Sequence, residues 1–236
     1  MRGSLLIYTK PGRPGFVKTR LIGALTPEEA AELHLAFLGD LVDEMAAGDF
    51  ELRLAWALEV GEVAPAWPTP TGTVAGMAQA GVGLGERLWR GLEAAARDHE
   101  LVAAVGSDHP TLRRDTVEQA FELLEGGAPV VLGPAADGGY FLVATSRQHL
   151  TRRIFEDVPW STDRVLETTL ERCRGLGLEP ALLPRGHDVD TPEDLERLVV
   201  ELRRRPDLCP RTRERLAAWG FLDGRRSARE ETRCES

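Results

Sequence analysis

The segment SLLIYTKPGRPGFVKTRL, residues 4–21, decides how this chain is to be read. Its first six residues are an apolar run of strand length, stopped by Pro11 and Gly12. In an open α/β sheet, ligands gather beyond the carboxyl ends of strands, so the loop after a first strand is a natural binding position. Gly12 and Gly15 let the backbone come close to a ligand, and neighbouring amides can then face phosphate oxygens. Lysine usage sharpens the reading. The chain has 27 arginines and only two lysines, Lys10 and Lys18, both in this loop. Lysine is a compact charge on a flexible stem and arginine a planar fork, so lysine has been kept where a point charge can meet a phosphate. Lys10, Lys18 and Arg20 are therefore the candidate catalytic cations. The loop is not a Walker A motif, because Val17 stands where that motif has glycine before Lys-Thr, and it lacks the GxGxxG fingerprint.

Working outward, Thr26, Pro27 and Glu29 predict a capped helix whose core stripe is Ala30, Leu33, Phe37, Leu41 and Met45. Strand-like runs follow at 51–57, 101–106, 129–132, 140–144 and 179–183, and helical ones at 84–99, 116–124, 163–174 and 191–202. Residues 65–70 read as an irregular, proline-rich connection. This alternation predicts one mostly parallel sheet flanked by helices on both faces. The expected organisation is a single domain over 1–222, with a short helix at 211–219 and a charged, disordered tail over 223–236.

A chain of 236 residues with 42% hydrophobic content can bury a core without staples. Cys173, Cys209 and Cys234 are odd in number and have no CxxC spacing, which suits a reducing cytosol. The run 5–8 is too short for a signal peptide or a membrane span, so a soluble cytoplasmic protein with no membrane partner is expected. The net charge of −9 argues against nucleic acid as a partner. Residues 1–27 nevertheless carry five basic and no acidic side chains. Such an island in an acidic body would focus a small anion.

Two acidic motifs fall near strand ends. GSDHP, residues 106–110, puts Asp108 just beyond the 101–106 run, where a carboxylate can hold Mg²⁺ beside a triphosphate or can merely cap a turn. GHDVDTPEDL, residues 186–195, offers Asp188 and Asp190. These alternate in direction if the segment is extended, so one of them faces a site, while Asp194 takes the capping-box position relative to Thr191. Three further segments look site-like: QAGVGLGER (79–87), with Gln79, Gly85 and Arg87; GPAADGGY (133–140), with Gly138 and Gly139; and VPWST (158–162), with Trp160, Ser161 and Thr162. The first two permit backbone contact with a nucleotide. The third sets an aromatic beside two hydroxyls that could touch a substrate or cap a helix.

Together KPGRPGFVKTRL, LGER, GSDHP, GPAADGGY, VPWST and DVDTPEDL, in this order, resemble a bacterial glycosyltransferase-like family associated with radical-SAM selenodomain proteins and named for arsenosugar biosynthesis. The resemblance covers about residues 4–220 and implies a glycosyltransferase-A, or nucleotide-diphospho-sugar transferase, fold. More distantly, Lys10 with KTRL (18–21) is similar to the opening of phospholactate guanylyltransferases. GSDHP and Asp190-Thr191-Pro192 are similar to metal motifs of sugar-acid cytidylyltransferases and molybdopterin guanylyltransferases. Carried onto matching positions, the resemblance implies Asp108 and Asp190 as ligands of Mg²⁺ or Mn²⁺, and Lys18 as a phosphate contact.

Three functions are compatible with this reading. A nucleotidyltransferase would join a nucleoside triphosphate to a phosphorylated or acidic small-molecule acceptor and release pyrophosphate. A glycosyltransferase would use a nucleotide-sugar. A nucleotide-sensing module would bind without turnover.

Overall fold

The computed structural model describes residues 2–70 and 72–228. In chain order these form β1 (Ser4–Thr9), α1 (Pro27–Met45), β2 (Glu51–Trp56), β3 (Trp67–Thr69), β4 (Gly72–Ala78), α2 (Gly83–Ala95) and β5 (Leu101–Gly106). Then come α3 (Arg114–Glu125), β6 (Val130–Pro134), β7 (Tyr140–Ser146), α4 (Val165–Gly175), β8 (Ala181–Leu182), α5 (Pro192–Arg204) and α6 (Pro210–Ala218). The single domain expected from the sequence falls into two units. One comprises residues 1–10, 43–106 and 112–187; the other comprises 11–42, 107–111 and 188–236.

The first unit holds the whole sheet, in the order β3-β4-β2-β1-β5-β7-β6-β8. It is mixed but, as expected, mostly parallel: β1, β2, β4, β5, β6 and β8 run in one direction, while β7 runs antiparallel to β5 and β6, and β3 antiparallel to β4. Only five residues join β6 to β7, and a parallel crossover needs a dozen or more. β3, antiparallel to β4 at the sheet edge, lies within the 65–70 stretch that reads as irregular, and β4 follows it where no strand was expected. Pro68 is tolerated on an edge strand, and Gly72 and Gly76 depress strand propensity in β4. Gly76 is needed there, since a Cβ would run into the Pro65 carbonyl, which accepts from Trp56 Nε1 at 2.9 Å.

Strand alternation divides the sheet's side chains between two faces. Leu6, Tyr8, Val102, Ala104, Val130, Leu132 and Val143 pack on one face with Leu88 and Leu92 of α2 and Cys173 of α4. The alternate residues Leu5, Ile7, Ala103, Val105, Val131 and Ala144 are equally buried. α3 contacts β5, β6 and β7. It buries Val117, Ala120, Phe121 and Leu124, none of which belongs to the first cluster, so it covers the second face.

The second unit is helical. Leu33 and Phe37 of α1, Leu195, Leu198 and Leu202 of α5, and Leu216 of α6 form its core with Leu21, Val189 and Phe221. Thr26 and Glu29 make the expected reciprocal cap, at 2.8 and 3.1 Å. Thr191 and Asp194 form a capping box at the start of α5. Asp40 of α1 caps α6, accepting from the amides of Arg211 and Thr212 at 2.8 Å each.

The charged tail is corrected in part. Within 223–228, Arg226 forks onto Glu29 at 2.7 and 2.9 Å and donates to the Ala24 carbonyl at 2.6 Å, while Ala228 is buried in the helical core. Charge in this stretch serves a fixed ion pair rather than solvation. The rest of the tail, 229–236, lies outside the described residues.

Candidate functional site

Lys18, Asp108 and Asp190, far apart in sequence, meet in the helical unit. Lys18 Nζ forms an ion pair with Asp108 Oδ1, lies 3.2 Å from Asp190 Oδ1, and donates to the Val189 carbonyl at 2.7 Å. Its side chain is only 2% exposed, whereas those of Asp108 and Asp190 are 43% and 39% exposed. The cation is thus sunk behind two carboxylates that still reach solvent. The Phe37 ring backs it, its centroid 5.3 Å from Nζ, adding a face that favours a cation. Burial works against the ammonium charge, but Asp108 and then Asp190 outweigh it and hold the pKa above the ordinary lysine value.

Local structure fixes each member. Lys18 sits in the left-handed region, with φ 48°, and heads the short 3-10 turn Thr19–Leu21. A non-glycine residue is held there only by its surroundings, here the three acceptors that take its side chain. Asp108 follows the end of β5 by two residues, and its carbonyl accepts from the Val189 amide at 2.9 Å. Asp190 is steadied from behind: Asp194 Oδ2 accepts from its amide at 3.2 Å and from that of Thr191 at 2.8 Å. Burial pushes the Asp194 carboxyl up, but these bonds and Thr191 Oγ1 prevail and hold it below the ordinary range.

Both carboxylate oxygens reach one nitrogen, neither farther from it than 3.2 Å, so the two side chains face a single cation position. As ligands of one Mg²⁺, at about 2.1 Å each, the two oxygens would stand no more than about 4.2 Å apart. Hard oxygen donors of this kind suit Mg²⁺ or Mn²⁺, completed by water and phosphate, better than zinc. Among the described residues no group of three or more His, Cys, Asp or Glu gathers to hold a metal. The chemistry of the pair, two part-exposed carboxylates facing one cation position, fits a divalent site completed by water or phosphate, and the Lys18 ammonium occupies that position here.

The other candidates lie elsewhere. Gly12 permits a close approach to α1, because a Cβ would meet Leu35 Cγ at 2.6 Å, while Gly15, with φ 79°, faces open space. Arg20 is exposed in the 3-10 turn, and Lys10 is exposed as the last residue of the sheet unit's first segment. In that unit Gln79 Nε2 donates to the carbonyls of Ala55 (2.8 Å) and Thr9 (3.2 Å), tying down two strand ends. Arg87 Nε reaches the Gly81 carbonyl at 3.3 Å, and the Arg87 carbonyl accepts from Tyr8 Oη at 2.8 Å. Gly85 lets α2 press against Trp160, whose Nε1 would lie 2.5 Å from an added Cβ. Trp160 also meets Tyr140 edge-on. Gly138 has φ 89° and no room for a Cβ beside the Asp163 backbone, while the Gly139 amide donates to Asp137 at 2.9 Å. Ser161 is exposed and left-handed, with φ 66°. Thr162 Oγ1 donates to the Pro159 carbonyl at 2.7 Å and accepts from the Arg164 amide at 3.3 Å, a turn role beside the start of α4. The structure thus joins Lys18 to both acids and Gly85 to Trp160.

Sequence reasoning missed the Val189 carbonyl and Phe37, which complete the lysine's surroundings, and the Asp40 clamp. Asp40 had a signal. It lies three residues after Phe37 and seven after Leu33, on the buried face of α1, where a carboxylate needs a partner.

A comparison with curated proteins finds no match. Among solved structures, a Desulfovibrio desulfuricans G20 protein described as a "putative nucleotide-diphospho-sugar transferase" is 27% identical, with a TM-score of 0.82 over 94% of this chain and 97% of that one. A cytidylyltransferase from Leptospira borgpetersenii is 13% identical, with a TM-score of 0.57 over 94% and 96%. A nucleotidyl transferase from Methanothermobacter is 16% identical, with a TM-score of 0.53 over 83% and 95%. The fold is that of the nucleotide-diphospho-sugar transferases. Residues 41–162, just over half of the sequence, match a family model, and the chain belongs to that bacterial family, described as "Uncharacterized protein conserved in bacteria (DUF2064)".

Proposed function

We propose that this protein is a nucleotide-utilising transferase and, more finely, a nucleotidyltransferase that joins a nucleoside triphosphate to a phosphorylated or acidic small molecule and releases pyrophosphate. The observation that carries the reading is the meeting of Asp108, Asp190 and Lys18 around one cation position. A divalent ion held by Asp108 and Asp190 would neutralise phosphate charge. An acceptor oxygen forms a bond to the α-phosphorus as the bond to the pyrophosphate oxygen breaks. Lys18, with Lys10 and Arg20 as further proposed cations, would stabilise the charge that develops on the leaving pyrophosphate. Gly138, Gly139 and the 158–162 segment remain proposed contacts for nucleoside or acceptor, on the strength of their sequence alone.

Glycosyl transfer from a nucleotide-sugar is the second reading, favoured by the description of the 27% identical Desulfovibrio protein. The two separate by product. The protein is incubated with Mg²⁺, pooled phosphorylated and acidic small molecules, and either nucleoside triphosphates or nucleotide-sugars. Pyrophosphate from the triphosphates supports the first reading, and nucleoside diphosphate from the nucleotide-sugars supports the second. Nucleotide binding with neither product would leave a sensing module.

A further inference from the structure

An ammonium has three donors and no acceptor, and those of Lys18 face three acceptors: Asp108 Oδ1, Asp190 Oδ1 and the Val189 carbonyl. With its side chain 2% exposed, Lys18 in this pose offers no hydrogen to an incoming phosphate. The two carboxylates are likewise engaged with a positive charge on the side where a shared metal would stand. A divalent ion placed among them would sit within a few ångströms of the ammonium, and like charges at that distance repel strongly outside bulk water. The arrangement can therefore accept a metal, or release Lys18 to a phosphate, only by changing.

We propose that Lys18 is a placeholder cation: it and a divalent metal compete for the Asp108–Asp190 pair, and metal entry frees Lys18 to meet a phosphate. This inference rests on the metal reading of the pair given above. The left-handed backbone at Lys18 favours release, because the seated pose is held against its own conformational preference. Metal and phosphate then assist each other. The metal liberates the phosphate's partner, and a phosphate that holds Lys18 leaves the carboxylates open to the metal. Such coupling is reciprocal between the two ligands. In the absence of both, the ammonium keeps two adjacent carboxylates from repelling each other.

The chain's two lysines make the exchange observable. With ¹⁵N-labelled lysine, the wild-type protein has two ammonium signals, of which the buried Lys18 should exchange its protons slowly and the exposed Lys10 quickly. Titration with Mg²⁺ alone should abolish the protection of Lys18, in step with occupancy. Mn²⁺ affinity, measured by electron paramagnetic resonance without nucleotide, should be at least about tenfold tighter in Lys18→Met than in wild type. Adding Asp190→Asn to Lys18→Met should remove that binding. If wild type and Lys18→Met bind Mn²⁺ equally, and Lys18 stays protected at saturating Mg²⁺, the competition is overturned while the metal site stands. If neither binds Mn²⁺ at millimolar concentration, the metal reading fails and the proposal with it. Should Lys18→Met not fold, the wild-type titration decides alone: protection retained at saturation overturns the proposal.

Discussion

Arg226→Ala removes a side chain that joins the end of the described chain to the start of α1. Arg226 makes two charge-assisted hydrogen bonds to Glu29, a third to the Ala24 carbonyl, and lies over the Phe221 ring at 4.9 Å. Charged hydrogen bonds contribute about 1.5–3 kcal/mol each, but Glu29 is 19% exposed, and water recovers part of the loss. A net cost of about 2–3 kcal/mol follows, and for a chain of this size that lowers the melting temperature by roughly 5–10 °C. The pH dependence gives a second check. The bonds from Arg226 hold the Glu29 carboxyl below its ordinary range, against burial. That stabilisation is complete above the ordinary glutamate range and is lost as pH falls through the depressed folded value. Thermal melts followed by circular dichroism should therefore show a gap between wild type and variant that is full at pH 7 and narrows below about pH 4. A shift under about 1 °C at pH 7, or a gap that does not narrow in acid, would refute the docking. Deletion of residues 223–236 should cost at least as much as the point substitution.

Two other substitutions separate structure from chemistry. Asp40→Ala leaves the first amides of α6 without their acceptor and should cost about 1–2 kcal/mol in thermal melts, with metal response intact. An unchanged melt would mean that another group caps α6. Lys18→Arg keeps the charge but replaces a compact ammonium with a fork, and calorimetry with Mg²⁺ should show nucleotide affinity reduced about tenfold, about 1.4 kcal/mol. Wild-type affinity would show that any positive charge suffices.

Lys18, Asp108 and Asp190 were legible as candidates because each lies in a short motif whose chemistry depends on residue type. Two lysines against 27 arginines marked Lys18, and the turn sequences GSDHP and DVDTPEDL marked Asp108 and Asp190. The choice of Asp190 over Asp188 came from resemblance, because alternation says only that one of the pair faces a site. What the sequence withheld depends on partners distant in the chain. The Val189 carbonyl carries no side-chain signal, and β4 is visible as a strand through its pairing with β2 and β3 rather than through its own residues. The reversal of β7 was within reach, since five residues cannot make a parallel crossover. The division into two units was not, because the chain crosses between them in the middle of continuous motifs such as GSDHP. Arg226 and Glu29 lie 197 residues apart, and nothing local distinguishes that arginine from a solvated one.

The central claim is that Asp108 and Asp190 hold one divalent cation for a nucleotide's phosphates. Its most direct measurement is nucleotide affinity by calorimetry, with and without Mg²⁺, in wild type, Asp108→Asn and Asp190→Asn, with melts to confirm folding. The account predicts Mg²⁺-dependent binding in wild type and loss of that dependence in each variant, the fold being kept. The same Mg²⁺ response in either folded variant would contradict it.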